Sequence, residues 1–252
     1  MKTTIPPTFN IYSHYYDLLY LDKDYVAEAS YIQNLLTHQG IAHGSLLEFG
    51  SGTGKHGCLL ANRGYTVHGI ERSLEMVSQA KQIDGFTFEQ GDICTAQMGK
   101  YFDAVLSLFH VISYQITNFN LNAVFTRAKE HLKPGGIFIF DFWYSPAVYS
   151  QCPSVRVKRM NDKQVEIIRL AEPVIYPNEN RVDVNYTIFA RDLINETVQT
   201  ITEIHPMRHF SLPEIDLLAS INGFERINAE EFLSGKPISE KTWGVCVTLK
   251  RI

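Results

Sequence analysis

The sequence predicts an α/β fold: a mixed seven-stranded sheet between helices, with an antiparallel β lobe inserted late in the chain. Three observations lead there. A short apolar run, Ser45 to Phe49, enters a loop with three glycines in five positions, Gly50-Ser51-Gly52-Thr53-Gly54, and apolar residues at helical spacing follow. Further short apolar runs then alternate with helical stretches, as the strands of a parallel sheet do. From about residue 151 to about residue 206 the helical periodicity gives way to strand-like runs separated by turn residues.

Taken in order, residues 1 to about 10 contain Pro6 and Pro7 and read as a loose arm. The aromatic cluster Tyr12, Tyr15, Tyr16 and Tyr20, with His14 and Asp17 among the rings, comes next. These rings either pad the edge of the sheet or form a lid, since a tyrosine pairs an apolar face with a polar tip. Tyr25 to Leu36 carries apolar residues at helical spacing and predicts an amphipathic helix.

After the first strand, the glycines permit positive φ and let a ligand approach bare backbone. The helix that follows carries Cys58 to Ala61 and is closed by Gly64. Tyr65 to Ile70 is the second strand. Glu71 follows it about 20 residues past the loop, where a doubly wound sheet holds a pair of ribose hydroxyls. The loop spacing is G-x-G-x-G rather than the dinucleotide G-x-G-x-x-G. Glu48 at the loop mouth repels a diphosphate and suits a cationic or zwitterionic ligand. Lys55 does not complete a phosphate loop, because His56 stands where serine or threonine is required.

Ser73 can cap a helix reaching Lys81, with Glu75 in its first turn. Phe86 to Glu89 is a short third strand. In Gly91-Asp92-Ile93 the aspartate either accepts from an adenine amino group, with the isoleucine against the ring, or closes an Asx turn. Tyr101 to Leu108 is the fourth strand, and Ser107-Leu108-Phe109-His110 at its end should open on the ligand crevice. Asn120 to His131 reads as a helix stopped by Lys133-Pro134-Gly135-Gly136. Ile137 to Phe140 is the fifth strand, ended by Asp141-Phe142-Trp143-Tyr144.

The lobe comprises Val155 to Arg159, Val165 to Ala171, Val182 to Arg191 and Thr197 to His205, with turns at Asn161-Asp162 and Pro177-Asn178. The chain then returns to the core. Ser211-Leu212-Pro213-Glu214 predicts a capping box, Ile215 to Ile221 a helix, and Gly223 its stop. Phe224 to Asn228 and Thr242 to Lys250 close the sheet as an antiparallel hairpin. The expected organisation is a core of residues 1–150 and 207–252, with residues 151–206 as a lobe over the acceptor side.

The 252 residues are 45% hydrophobic and 20% charged, which bounds the chain to one large α/β domain or a domain with an added lobe. A net charge of -4 and a pI near 6.1 argue against nucleic acid as the main partner. Cys58, Cys94, Cys152 and Cys246 form no C-x-x-C, so neither disulfides nor a metal site is expected, and the compartment expected is the cytoplasm. The amino terminus lacks a signal-peptide core, and no run reaches membrane-span length.

Glu48 to Gly54, Glu71, Gly91-Asp92-Ile93, Phe102-Asp103 and Leu132 to Gly136 together resemble the ordered motifs of class I S-adenosylmethionine (SAM)-dependent methyltransferases, whose sheet is Rossmann-like. Within that superfamily the chain resembles the N,N-dimethyltransferases of nucleotide-linked amino-deoxysugars, of the desosamine and mycaminose type. The residues carrying this likeness are Tyr16-Asp17-Leu18-Leu19-Tyr20-Leu21, Asp24 to Ser30, Ser107-Leu108-Phe109, Tyr114 and Trp143. The resemblance implies SAM as cofactor and S-adenosylhomocysteine as product. It implies cofactor contacts from Tyr20, Glu48, Gly50, Ser51, Gly52, Glu71, Arg72, Met76, Asp92, Ile93 and Leu108. The acceptor would meet Tyr114 and Trp143, with Tyr16 as a catalytic candidate. From their places in the chain, Arg208 near the site's mouth reads as a contact to a substrate phosphate or carboxylate, and His110 at the crevice, where it departs from the family's small polar pair, as the first candidate base if the nucleophile is a hydroxyl. Arg208 also reads as a surface ion pair, and His110 as a packed histidine.

The partner implied is a small-molecule acceptor, with no membrane and with a homodimer allowed. An O- or C-methyltransferase of another metabolite is the second reading. A non-catalytic SAM-binding protein is the third, and an intact cofactor motif argues against it.

Overall fold

The computed structural model describes residues 15–252. The prolyl arm expected over residues 1–10, and Tyr12 and His14, lie outside the described residues. Contacts divide the chain into two units. One is Asp24–Cys152 with Arg208–Ile252; the other is Pro153–Met207 with the described residues up to Lys23.

Among the described residues the first element is α1 (Tyr16–Leu19), a single turn. Helix α2 (Tyr25–His38) begins at Asp24, whose carboxylate accepts from the Ala27 N–H at 2.8 Å. Then come β1 (Ser45–Phe49), α3 (Lys55–Ala61), β2 (Thr66–Glu71), α4 (Leu74–Gln79), β3 (Phe86–Gln90) and β4 (Phe102–Ser107). Helix α4 is capped by Ser73, whose hydroxyl accepts from the Met76 N–H at 3.3 Å, and it stops short of Lys81. Helix α5 (Asn118–His131) is capped by Thr117 and leads into β5 (Leu132–Trp143) and α6 (Ser145–Gln151).

The first sheet has the order β10-β11-β5-β4-β1-β2-β3, where β10 is Phe224–Glu231 and β11 is Gly244–Arg251. Strands β1 to β5 pair in parallel, and β11 runs antiparallel to β5 and to β10. The strand order reverses between β1 and β4, so the crevice for a ligand lies at the carboxyl ends of those strands. The sheet is covered on both faces. Phe125 of α5 meets Phe138 and Phe140 of β5 and Phe224 of β10, while Ile32 and Leu36 of α2 join Leu46, Leu106 and Ile139 in a second cluster. Burial of such side chains is worth about 1.5–3 kcal/mol each.

The second sheet has the order β6-β7-β8-β9, with β6 Arg156–Asn161, β7 Val165–Tyr176, β8 Arg181–Asp192 and β9 Val198–Arg208. The central hairpin pairs from Val165 opposite Asp192 out to Tyr176 opposite Arg181. It is longer than the apolar pattern suggests, because Asn180 takes a left-handed φ of 48° that lets the chain reverse tightly. Leu19 of α1 is fully buried with Ile167, Ile188, Ala190 and Ile201, and Tyr15, Tyr16 and Tyr20 pack against that cluster.

Three local expectations are corrected. The segment Ser145–Gln151 forms α6, which the sequence reading did not contain. The helix has no side-chain cap, and burial of Ala147 and Val148 holds it instead. Helix α7 (Leu212–Ile221) does start after Ser211, but no capping box forms. Glu214 is turned to Arg208, its Oε1 2.6 Å from Nη2. Strand β5 also begins earlier than expected, at Leu132. Lys133-Pro134-Gly135-Gly136 is accommodated as an irregularity, with the pairing of β4 to β5 jumping from Phe102–Leu132 to Ala104–Ile137. Among the described residues no helix is long and apolar enough to cross a membrane.

Candidate active site

The carboxyl ends of β1 to β5 form one edge of the parallel sheet, and most of the candidate residues stand along it. The loop after β1 is held down by the Gly50 and Ser51 N–H groups, which both donate to the Ile70 carbonyl, at 2.8 and 3.1 Å. Gly50 and Gly52 have φ of 71° and 56°, in the left-handed region. At Gly50 a Cβ would fall 2.6 Å from the Val111 methyls, so that side of the loop is closed by packing. At Gly52 a Cβ would meet only Met76 Sδ, at 3.8 Å. The loop therefore turns bare backbone toward open space at Gly52.

Glu71, the last residue of β2, is buried. Its Oε2 accepts from the Gly52 N–H at 3.0 Å and its Oε1 from the Ser73 N–H at 2.8 Å. A carboxylate has about four lone-pair sites, so the backbone donors leave it acceptor capacity for a hydroxyl. Burial pushes the Glu71 carboxyl above its usual range, and the backbone N–H bonds work against that shift. Arg72 is exposed, whereas Met76 is buried beside the loop.

Beneath the loop, Glu48 is almost fully buried, with Oε1 3.8 Å from His56 Nδ1. His56 Nε2 is 2.6 Å from Glu28 Oε2 on α2. This imidazole between two carboxylates is a feature the sequence reading missed. His56 entered that reading only as the residue that spoils a phosphate loop. After β3, Asp92 is exposed and its Oδ1 accepts from the Cys94 N–H at 2.8 Å, an Asx contact, while Ile93 is buried. One carboxylate oxygen of Asp92 is thus engaged locally.

At the end of β4, Leu108 is buried, and Phe109 and His110 are consecutive non-glycine residues with φ of 62° and 61°. Such backbone costs about 1–3 kcal/mol per residue and persists where surrounding contacts demand it. His110 Nδ1 lies 2.7 Å from Asp141 Oδ2, and the His110 backbone N–H donates to the same oxygen at 3.1 Å. The Trp143 ring stands edge-on to His110 with centroids 6.1 Å apart, and Trp243 lies 5.8 Å beyond Trp143. Tyr114 ends the 3-10 turn Val111–Tyr114 and is half-buried.

The remaining candidates stand elsewhere. Arg208, at the end of β9, is held by Glu214 and by Asn118 Oδ1, 2.8 Å from Nη1, so its guanidinium is already committed within the fold. Tyr16 and Tyr20 belong to the unit of the antiparallel sheet, their rings 4.7 Å apart. Arg169 Nη1 donates to the Tyr20 hydroxyl at 3.4 Å, and the Lys158 ammonium lies 5.6 Å from the Tyr20 ring centroid.

These features fit SAM. A turn of bare backbone at Gly52 leaves a ligand an approach without steric cost, and the buried Glu71 carboxylate keeps acceptor capacity of the kind a ribose hydroxyl requires. Comparison with known proteins agrees. A methyltransferase domain family matches residues 46–136. A Streptomyces venezuelae dTDP-3-amino-3,4,6-trideoxy-alpha-D-glucopyranose N,N-dimethyltransferase is 30% identical over 226 residues, 88% of this chain and 92% of that one. The crystal structure of Streptomyces venezuelae DesVI superimposes with a TM-score of 0.78 at 26% identity, covering 94% of this chain and 97% of that one. The sugar N-methyltransferase KedS8 of a Streptoalloteichus species shares the fold with a TM-score of 0.80 at 21% identity, over 96% and 94% of the two chains. With the strand order, the glycine turn and Glu71 in place, this chain belongs to the class I SAM-dependent methyltransferases, in the family that contains the dTDP-amino-sugar N,N-dimethyltransferases.

Proposed function

We propose that this enzyme methylates the amine of a nucleotide-linked amino-deoxysugar, in the cytoplasm. The supporting observation is the reach of the similarity. The family model covers the cofactor-binding segment, residues 46–136, but the likeness to the dTDP-amino-sugar dimethyltransferase extends over 88% of the chain and so includes the antiparallel sheet. A shared cofactor alone would not maintain likeness there.

SAM supplies an electrophilic methyl on a sulfonium. The chain's residues bind, orient and exclude water, since most of the rate gain in such a transfer comes from holding the nucleophile in line. We assign Glu71 to the ribose hydroxyls, Gly50, Ser51 and Gly52 to the cofactor's backbone cradle, and Glu48 to its cationic end. Met76, Asp92, Ile93, Arg72 and Leu108 line the adenosine side in this reading. Tyr114 and Trp143 are assigned to the acceptor. Arg208 serves the acceptor only if its bond to Glu214 opens.

Intact-mass analysis of a dTDP-amino-deoxysugar after incubation with SAM is the deciding experiment. Gain of one and then two methyl groups is expected. No gain on an amino sugar, with gain on the corresponding hydroxy sugar, would replace this reading by O-methylation. The His110–Asp141 pair is compatible with either nucleophile, since a bound ammonium has to lose a proton and a hydroxyl needs a base.

Tyr16 receives a positioning role toward the amine, through its phenol. Tyr16→Phe is expected to lower turnover more than twofold while the melting temperature stays put, because positioning matters most in the transition state. Its ring packs against the apolar cluster of the second sheet, so Tyr16→Ala tests something else, namely stability. Turnover of the phenylalanine variant within twofold of wild type would reduce Tyr16 to packing.

A further inference from the structure

We propose that Asp141 is a positioning residue for methyl transfer: it holds the His110 imidazole with its proton on Nδ1 and leaves Nε2 to take a proton from the acceptor's ammonium group. This rests on the amine-methylation reading above.

The geometry is unusual in three ways. First, Asp141 is fully buried and its Oδ2 gathers both the His110 backbone N–H, at 3.1 Å, and the His110 ring nitrogen Nδ1, at 2.7 Å. Nδ1 is itself buried and makes no aligned hydrogen bond among the described residues, so this oxygen, 2.7 Å away, is the acceptor within its reach. Second, Asp141 Oδ1 is buried and has no hydrogen-bond partner among the described residues. No lysine or arginine pairs with Asp141 there, so the imidazole is the group that answers this carboxylate. A buried carboxylate oxygen left without a donor is costly and calls for an explanation. Third, the backbone enters left-handed space at both Phe109 and His110. That turn is what delivers the backbone N–H and the ring of one residue to one oxygen.

The His110 side chain is 21% exposed while its Nδ1 is buried, so the exposed part of the ring is the part away from Asp141, where Nε2 stands. The ring is flanked by Phe109 and Trp143, and a Cβ at Gly244 would lie 3.8 Å from its Cε1. It stands at the carboxyl end of β4, on the edge that also carries Gly52 and Glu71.

The proton balance is simple. The N–H bond of the bound ammonium breaks, its electron pair stays on nitrogen, and the proton goes to His110 Nε2. The imidazolium is then held against the Asp141 carboxylate and returns its proton to water. The orienting carboxylate follows the logic by which a buried aspartate fixes a catalytic histidine's tautomer. Other titratable groups face this pair. Cys246 on β11 stands opposite Asp141 in register, Tyr31 on α2 lies beside Cys246, and Glu230 on β10 accepts from the Tyr31 hydroxyl at 2.7 Å. Burial pushes the Cys246 thiol and the Tyr31 phenol up, so both stay neutral through the range in which an imidazole titrates.

The test uses the full chain with S-adenosylhomocysteine bound, and long-range nitrogen–proton NMR of the histidines. In wild type the neutral His110 ring should carry its proton on Nδ1. In Asp141→Asn the proton should move to Nε2 and the ring should titrate at lower pH. Turnover of that variant with an amino-sugar acceptor should fall at least tenfold, with the acid limb of kcat moved to lower pH and SAM affinity kept within twofold. A wild-type ring protonated on Nε2, or an acid limb and tautomer indifferent to Asp141→Asn, overturns the proposal. If wild type methylates no amine, the functional reading fails, and the NMR tautomer still decides the role of Asp141 by itself. If Asp141→Asn does not fold, His110→Gln decides. Loss of turnover at least tenfold with SAM affinity kept supports the dyad, and unchanged turnover overturns it.

Discussion

Glu71→Ala should raise the SAM dissociation constant at least tenfold in calorimetry. The substitution removes a charged acceptor for two hydroxyls, worth about 1.5–3 kcal/mol, and about 1.4 kcal/mol is a factor of ten. It also strips the Gly52 and Ser73 N–H groups of their acceptors, so the glycine turn loses a brace. The pH dependence carries a sign. Burial raises the Glu71 carboxyl, so as pH falls toward that raised value the group becomes neutral and stops attracting hydroxyl donors. SAM affinity should therefore weaken toward acid earlier than an ordinary glutamate would dictate. Stability runs the other way. The folded protein holds this proton more tightly than the unfolded chain, so the Glu71 contribution is fully present below the unfolded value and is lost as pH rises through the folded one. An unchanged dissociation constant in the alanine variant would remove Glu71 from the cofactor site.

The largest stability effect is expected at Phe125. Its ring is fully buried between α5 and the sheet, with centroids 5.7 Å from Phe138, 5.6 Å from Phe140 and 6.4 Å from Phe224. Phe125→Ala removes that volume from a packed aromatic cluster, at about 3–5 kcal/mol. For a chain of this size about 2–4 °C is lost per kcal/mol, so calorimetry should show a fall of roughly 6–20 °C. The loss also bears on function, because β5 carries Asp141 and Trp143 at its far end. A fall of less than about 2 °C would mean that α5 does not anchor the strand, since it would correspond to under about 1 kcal/mol.

The parallel half of the fold was legible in the sequence because its determinants are local. Apolar runs of strand length, glycines where φ is positive and an acidic residue at the end of the second run place Gly50, Gly52 and Glu71 within one strand-turn-helix-strand unit. Ser73 as a cap is equally local, since the hydroxyl and the N–H it serves are three residues apart. The lobe was legible as strands, though the reach of its central hairpin was not. Pairing out to Tyr176 and Arg181 depends on the turn at Asn180 rather than on side-chain pattern.

What the sequence by itself determined, then, is the fold class, the glycine turn after the first strand and the acid at the end of the second. Only the tertiary structure decided the partnerships. Glu214 is three residues from Ser211 and reads as a capping box, yet Arg208 takes its carboxylate, because a charged donor at 2.6 Å outweighs a neutral backbone N–H. Helix α6 forms where no periodicity of useful length exists, because Ala147 and Val148 are buried there. His110 meets Asp141 across 31 residues, because β4 and β5 are neighbours in register and the backbone at Phe109–His110 turns left-handed to reach it. His56 lies between Glu28 and Glu48 because α2 and α3 pack side by side. Local spacing sets what one segment does; which side chains of distant segments meet is set by strand register and helix packing, and no single window of sequence contains that information.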